Sequence, residues 1–393
     1  MSIHSSPLGE AGTKDTGGMS IYLRELSSAL GALGHQVDLF TRASEPTAPQ
    51  IVEIGANVRL IHLSDGLGPL AKDDLYPHSD AFADSINAFS RVNGIRYNAI
   101  FSHYWLSGCI GQLLQQAWKV PHLIMFHTLG AAKNDYCSGE YESALRIETE
   151  GTLARNCDRI IAAATMEKEN LRRYYDLAPQ KITVIPCGVD RNLFRPLNRA
   201  QTAKKLGTVG SKIILAVGRI EPVKGFDLVI NAVSLLPAHE KVRILIIGGD
   251  GKRQAQIKQL DILARNLGIA QKINFLGTID HRQLPLYYNA AAVTVIASHY
   301  ESFGLIALES IACGTPVLAT PVGVLPELIK PGDGGLFGRL IEGRSPAHWA
   351  EEIHTVLNRA ETIANDDIDT KLAPYNWPSV AARIAEECCS AGK

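Results

Sequence analysis

The chain has almost no net charge: 39 Lys and Arg against 40 Asp and Glu leave a formal charge of -1 over 393 residues. Its cations are dispersed and form no runs, which excludes the footprint of a nucleic-acid or anionic-membrane binder and favours a small-molecule ligand. No uncharged apolar stretch approaches the roughly 20 residues that a bilayer span requires, and no basic segment followed by a hydrophobic one opens the chain. A soluble cytoplasmic protein is expected. Cys109, Cys137, Cys157, Cys187, Cys313, Cys388 and Cys389 are odd in number and scattered, with no CxxC pair. They read as reduced thiols and exclude a metal or redox motif. The sequence also lacks the nucleophile–base pair that covalent catalysis needs. The chain starts abruptly at Met1, with little room for a strand before a Gly-rich segment, so a shortened first strand or an upstream start is expected.

What is present is alternation. Short β-rich runs (36–41, 58–63, 99–102, 122–127, 159–163) alternate with helical patterns in the first half. A second series follows at 212–217, 242–247, 272–276, 293–296 and 316–319. This is the pattern of parallel sheets covered by helices on both faces. Val184–Asp190 ends a strand and the Pro- and Asn-containing stretch to Asn198 breaks the pattern, which places a domain boundary there. Two open α/β sheets bind ligands beyond the carboxyl ends of their strands, in a cleft between domains.

Four motifs stand at such ends. Gly12–Ser20, with Gly17 and Gly18, precedes a helical pattern from Ile21 to Leu33; glycines ahead of a helix dipole suit an anion, the alternative being a plain turn. After the 212–217 strand, Arg219 and Lys224 lie five residues apart in Gly218–Gly225. They suit a departing diphosphate, the alternative being two solvated cations. Glu301 and Glu309 flank Ser302-Phe303-Gly304-Leu305. Eight residues turn a helix about 80° off-face, so Glu301 belongs in the preceding loop and Glu309 inside the helix. Two carboxylates at different depths suit the hydroxyls of a sugar and a ribose, with the Ser302–Leu305 amides near phosphate. The apolar neighbours of Glu309 argue against a solvated helix position. His127, at another strand end, is a ligand candidate or a structural histidine.

Gly17-Gly18-Met19, His127-Thr128, Gly218-Arg219 with Lys224-Gly225, Glu301 to Glu309 and Ala312-Cys313-Gly314-Thr315-Pro316-Val317 together resemble the retaining glycosyltransferases of family 4 (glycosyl transferases group 1). That family includes the mycothiol-pathway inositol-phosphate enzyme and sucrose-phosphate synthase, and the match covers nearly the whole chain. The resemblance implies an α/β GT-B fold of two Rossmann-like domains with an interdomain cleft. Residues 1–190 would form the acceptor domain and 191–370 the nucleotide-sugar domain, with a helix at 371–393 crossing back to the first. The tail Tyr375-Asn376-Trp377-Pro378-Ser379 also looks like the family's.

By resemblance, Arg219 and Lys224 hold the donor diphosphate, Glu309 the ribose and Glu301 the transferred sugar, with Gly18, Ile279, Ser302, Phe303, Gly304 and Leu305 completing the donor set. His127 meets a sugar hydroxyl, and the catalytic group is His127, Arg219, Lys224 and Glu301. The acceptor, a phosphorylated cyclitol or sugar, falls to His4, Gly17, Met19, Ser20, Lys72, Tyr104, Thr128 and Arg146. Two cations and two hydroxyls among these suit one phosphate. Ser20 stands where the inositol enzyme has Asn, and Leu129–Lys133 also looks like sucrose-phosphate synthase, whose acceptor is fructose 6-phosphate. A UDP-sugar is the implied co-substrate and catalysis needs no cofactor. Tyr288, Asn289 and Ala291 correspond to main-chain ligands of a structural Mg²⁺ in some relatives. A homodimer is compatible with the resemblance. The reading from another class is a non-catalytic nucleotide-sugar sensor.

Overall fold

The structure, a computed structural model, describes residues 1–8, 17–43, 47–64, 70–136, 141–249, 254–359 and 363–391. Gly12–Thr16 and Cys137 lie outside these residues, as do Gly68 and Pro69 of the stretch that leads to Lys72. The chain divides into two compact units. One is built from Gly18–Gly188, the chain's first residues and the segment from Trp377 on; the other is Val189–Asn376. Among the described residues no helix is long and apolar enough to cross a membrane.

The first unit holds β1 (Val37–Arg42), β2 (Ile51–Gly55) and β3 (Val58–Leu63) in the order β1-β3-β2. It also holds β4 (Ile100–His103), β5 (His122–Met125), β6 (Arg159–Ala162) and β7 (Ile182–Val184) in sequence order, all parallel. Residues 1–3 join the two sets. Ser2 N donates to the Phe40 carbonyl (2.9 Å), Met1 N to that of Phe101 (2.8 Å) and His103 N to that of Met1 (3.0 Å). The expected short first strand is thus a hydrogen-bonded segment between β1 and β4. One strand departs from the expected parallel pattern: β2 runs antiparallel to β3 through a turn at Asn57 (φ 62°). It is a half-exposed edge strand with little apolar burial to announce it. The Trp377–Ser390 helix packs on the Gly18–Ala32 helix, with the Trp377 ring 5.5 Å from that of Tyr22.

The second unit is one parallel sheet of β8 (Lys212–Val217), β9 (Val242–Ile247), β10 (Ile273–Phe275), β11 (Ala291–Ile296), β12 (Val317–Ala319) and β13 (Gly338–Leu340). Its order is β10-β9-β8-β11-β12-β13. β8, β9 and β11 are nearly continuous apolar runs, as strands covered on both faces must be, and Ile214, Ala216, Val293, Val295 and Trp349 meet in the core. Strand order reverses between β8 and β11, so the loops leaving these two strands splay apart around a crevice. Those loops carry Arg219, Lys224 and Glu301.

Candidate active site

Two glycines shape the second unit's site. Gly225 (φ 65°) starts the Phe226–Ser234 helix, and a Cβ there would lie 2.2 Å from the Ala297 carbonyl at the end of β11. Gly304 (φ 66°) starts the Leu305–Ala312 helix, where a Cβ would meet Val324 at 2.5 Å. Both loops turn in left-handed conformations that glycine adopts without a steric penalty. His299 N donates to the Val223 carbonyl (2.7 Å), and across the same approach Lys224 Nζ pairs with Glu301 Oε2 at 2.6 Å, both side chains mostly buried. Arg219 stays nearly half exposed, 3.3 Å from Glu221, a contact weak enough to leave its planar fork available. Ser302, Phe303 and Leu305 are buried at the start of the Leu305–Ala312 helix, whose first amides have no partner within the helix.

Glu309 lies inside that helix and is 4% exposed. One carboxylate oxygen meets His281 Nε2 (2.6 Å) and the other accepts from the Tyr288 hydroxyl (2.8 Å). The Phe194 ring covers both partners, at 5.0 and 6.0 Å between centroids. Burial, then the Glu309 charge, pushes the Tyr288 phenol well up, so it remains a donor. A carboxylate has about four lone-pair sites, so Glu309 keeps acceptor capacity beyond these two bonds. The sequence reading missed His281, although it follows Thr278-Ile279-Asp280 at the carboxyl end of β10. Asp280 caps the turn that carries it, and Ile279 is half-buried in the same loop.

In the first unit, His4, Tyr104 and His127 follow the joining segment, β4 and β5. Tyr104 (φ 76°) and His127 (φ 62°) are both left-handed, a conformation that L side chains resist and that surrounding contacts must hold. His127 Nε2 lies 2.9 Å from His103 Nδ1, a partner the sequence did not single out. Burial keeps both imidazoles well below their usual range, so they are neutral and one donates to the other.

The Tyr104 ring is a hub. His4 packs against it, tilted by 38°, at 4.4 Å between centroids, Lys72 Nζ lies 5.3 Å from its centroid and the Arg146 guanidinium 4.7 Å. Arg146 Nη2 donates to the Thr128 carbonyl (2.8 Å) and hydroxyl (3.0 Å). Desolvation first, then Lys72 and Arg146, push the His4 imidazole down to about 3, leaving it neutral. His4, Lys72, Tyr104, Thr128 and Arg146, spread over the chain, are therefore one cluster. Arg146 is also bound to Glu150 (2.7 Å) and Glu142 (2.8 Å), carboxylates four residues to either side of it that were not singled out in the sequence.

The glycine-rich entrance to the Gly18–Ala32 helix is less open. Gly17 and Gly18 begin it, but the Ser20 hydroxyl is buried against that of Ser5 (3.0 Å). Met19 packs its side chain on Leu23, Leu39, Val58 and Leu60, which leaves its backbone for any ligand.

Two of the three carbonyls matched to a structural Mg²⁺ already accept hydrogen bonds from side chains. The Arg199 guanidinium donates to the Ala291 carbonyl, and Thr315 donates to that of Tyr288 (2.6 Å). The Asn289 side-chain amide, as distinct from its main-chain carbonyl, is engaged by Leu197, Arg195 and Pro285. The guanidinium on the Ala291 oxygen repels a divalent ion there. No cluster of three or more His, Cys, Asp or Glu suited to a metal occurs among the described residues.

The chain is similar to known proteins over nearly its whole length. Residues 16–193 match the family described as Glycosyltransferase Family 4, and residues 198–367 that described as Glycosyl transferases group 1. The D-inositol 3-phosphate glycosyltransferase of Corynebacterium efficiens is 35% identical over 98% of this chain and 93% of its own. That of Thermobispora bispora is 34% identical over 98% and 92%. Among solved structures, sucrose-phosphate synthase from Thermosynechococcus elongatus superposes with a TM-score of 0.87 at 31% identity, covering 98% of this chain and 96% of that one. Anabaena HepE, solved with UDP-glucose, shares the fold at a TM-score of 0.77 and 18% identity, covering 97% and 98%. The two α/β units are those of the GT-B fold, and the chain belongs to the group 1, family 4 glycosyltransferases.

Proposed function

We propose that the protein transfers a hexosyl group from a UDP-sugar to a phosphorylated cyclitol of the inositol phosphate type, in the cytoplasm, with retention at the anomeric carbon. The observation that carries the acceptor is the cluster of His4, Lys72, Tyr104, Thr128 and Arg146, an aromatic floor with two cations and a hydroxyl beside it. The relatives named for inositol 3-phosphate support the same class.

The second unit takes the donor. Arg219 and Lys224 neutralise charge on the departing UDP, the amides at Ser302–Leu305 face its phosphates, and Glu309 takes the ribose. Glu301, held by Lys224, binds the transferred sugar; Ile279 lines the nucleoside side, and His127 meets a sugar hydroxyl. Gly17, Gly18, Met19 and Ser20 offer backbone to the substrates. No protein nucleophile is required: the leaving phosphate accepts the acceptor's proton as the new bond forms on the same face. No metal takes part in the step.

The sucrose-phosphate synthase match favours fructose 6-phosphate as a second acceptor candidate. UDP release is measured with UDP-glucose and UDP-N-acetylglucosamine against inositol phosphate, fructose 6-phosphate and their unphosphorylated forms. Turnover confined to inositol phosphate is expected. Equal turnover of unphosphorylated acceptors removes the phosphate-reading cluster, and UDP binding without any turnover makes the protein a sensor.

A further inference from the structure

Arg146 has little left to give a ligand. Its guanidinium is almost fully buried, and a guanidinium has five N–H donors. Nε–H goes to Glu150, the two Nη2 hydrogens to the carbonyl and hydroxyl of Thr128, and one Nη1 hydrogen to Glu142. Glu150 is fixed from its other side by Gly130 N (2.8 Å) and the Tyr175 hydroxyl, so its bond is structural.

Glu142 differs. One of its oxygens meets Arg146 Nη1 and the other Lys133 Nζ, so two cations clamp opposite edges of one carboxylate. This is an oxyanion seat already filled by the protein. Burial would raise the Glu142 carboxyl, but Arg146 and Lys133 outweigh it and hold the group at about 2. Its backbone is docked on the Gly130–Tyr136 helix, with Glu142 N donating to Asn134 Oδ1 (2.7 Å) and Asn134 Nδ2 to the Glu142 carbonyl (3.1 Å). Vacating the seat therefore needs a change of side-chain rotamer and no loop movement.

We propose that Lys133 and Arg146 form the seat for the acceptor's phosphoryl group and that Glu142 is its resident stand-in, displaced when the acceptor binds. An unphosphorylated acceptor lacks the charge to compete with a carboxylate held by two cations, so Glu142 acts as a specificity determinant. The inference rests on the acceptor proposed above and adds Lys133 to its ligands.

The test is Glu142→Gln, read by KM for inositol phosphate and by inhibition with inorganic phosphate. Removing the competitor's charge should lower KM by about tenfold, the worth of one charge-assisted bond, and tighten phosphate inhibition by a similar factor. Adding Lys133→Gln to that variant should reverse both gains. If Glu142 only orients Arg146, Glu142→Gln raises KM, and either that or an unchanged KM overturns the proposal. Should the Gln variant not fold, Glu142→Asp withdraws the carboxylate from Lys133 and is expected to move both readouts in the same direction; no change overturns the proposal. Failure of the underlying function is separate, because it is seen in the wild-type protein as no preference for the phosphorylated acceptor.

Discussion

Replacing Glu309 separates a donor-binding carboxylate from a core one. Glu309→Ala removes the acceptor for His281 Nε2 and the Tyr288 hydroxyl and leaves a buried imidazole and phenol without it. Each hydrogen bond to a charged group is worth about 1.5–3 kcal/mol, so the loss of both costs about 3–6 kcal/mol of stability. Glu309→Gln keeps the shape and one acceptor oxygen but turns an NH₂ toward one of the two donors, for about half that cost. These losses follow from packing alone, so stability does not discriminate. UDP affinity does: a carboxylate bound to the ribose contributes about 1.5–3 kcal/mol, so the Gln variant should bind UDP about 10–100-fold more weakly. Titration calorimetry with UDP, run beside urea unfolding of the same sample, gives both quantities. Unchanged UDP affinity in a destabilised but folded variant refutes the reasoning and leaves Glu309 as a purely structural group.

Arg219→Ala should lower kcat by about 100–1,000-fold through lost charge stabilisation on the leaving group, while its exposed contact with Glu221 contributes only about 0–1 kcal/mol to folding. A normal kcat in steady-state assays contradicts this. Arg199→Ala should lower stability by about 1–3 kcal/mol by orphaning the Ala291 carbonyl, with no effect of EDTA or Mg²⁺ on the wild-type Tm. A chelator-induced fall in Tm by scanning calorimetry would restore the metal. Burial depresses His4, His103, His122 and His127, with His4 and His122 at about 3. The unfolded chain therefore binds protons below about pH 6.5 that the folded chain refuses, and each site loses about 2 kcal/mol of stability by pH 5. Glu167, raised to about 7 by burial, works in the opposite direction and gains stability as pH falls from about 7 toward its unfolded value. With four imidazoles against one carboxyl, urea midpoints should fall from pH 7 to pH 5; flat midpoints contradict the buried neutral histidines.

Periodicity made β3, β8, β9 and β11 legible, because a strand buried on both faces must be apolar along its length. It also put Glu301 in a loop and Glu309 in a helix, since eight residues do not return to one helical face. Partners remained hidden. Nothing local ties Glu309 to His281, because that contact depends on which loops the sheet order brings together, whereas Arg146 reaches Glu142 and Glu150 at i,i+4 spacing. β2 was missed because an edge strand buries too little to leave a pattern, and Arg199 because the surface cation it looks like in the sequence is folded onto a backbone carbonyl. His103 adjoins the acceptor candidate Tyr104 in the sequence, yet the left-handed turn after β5 is what brings His127 to it.

The central claim is most directly tested by the stereochemistry of the product. Proton NMR of a reaction of UDP-α-glucose or UDP-α-N-acetylglucosamine with inositol phosphate follows the anomeric proton while UDP accumulates. An α-linked product with the small anomeric coupling of the donor, formed in step with UDP, is the predicted result. A β-linked product, or donor consumed to free sugar without transfer, contradicts it.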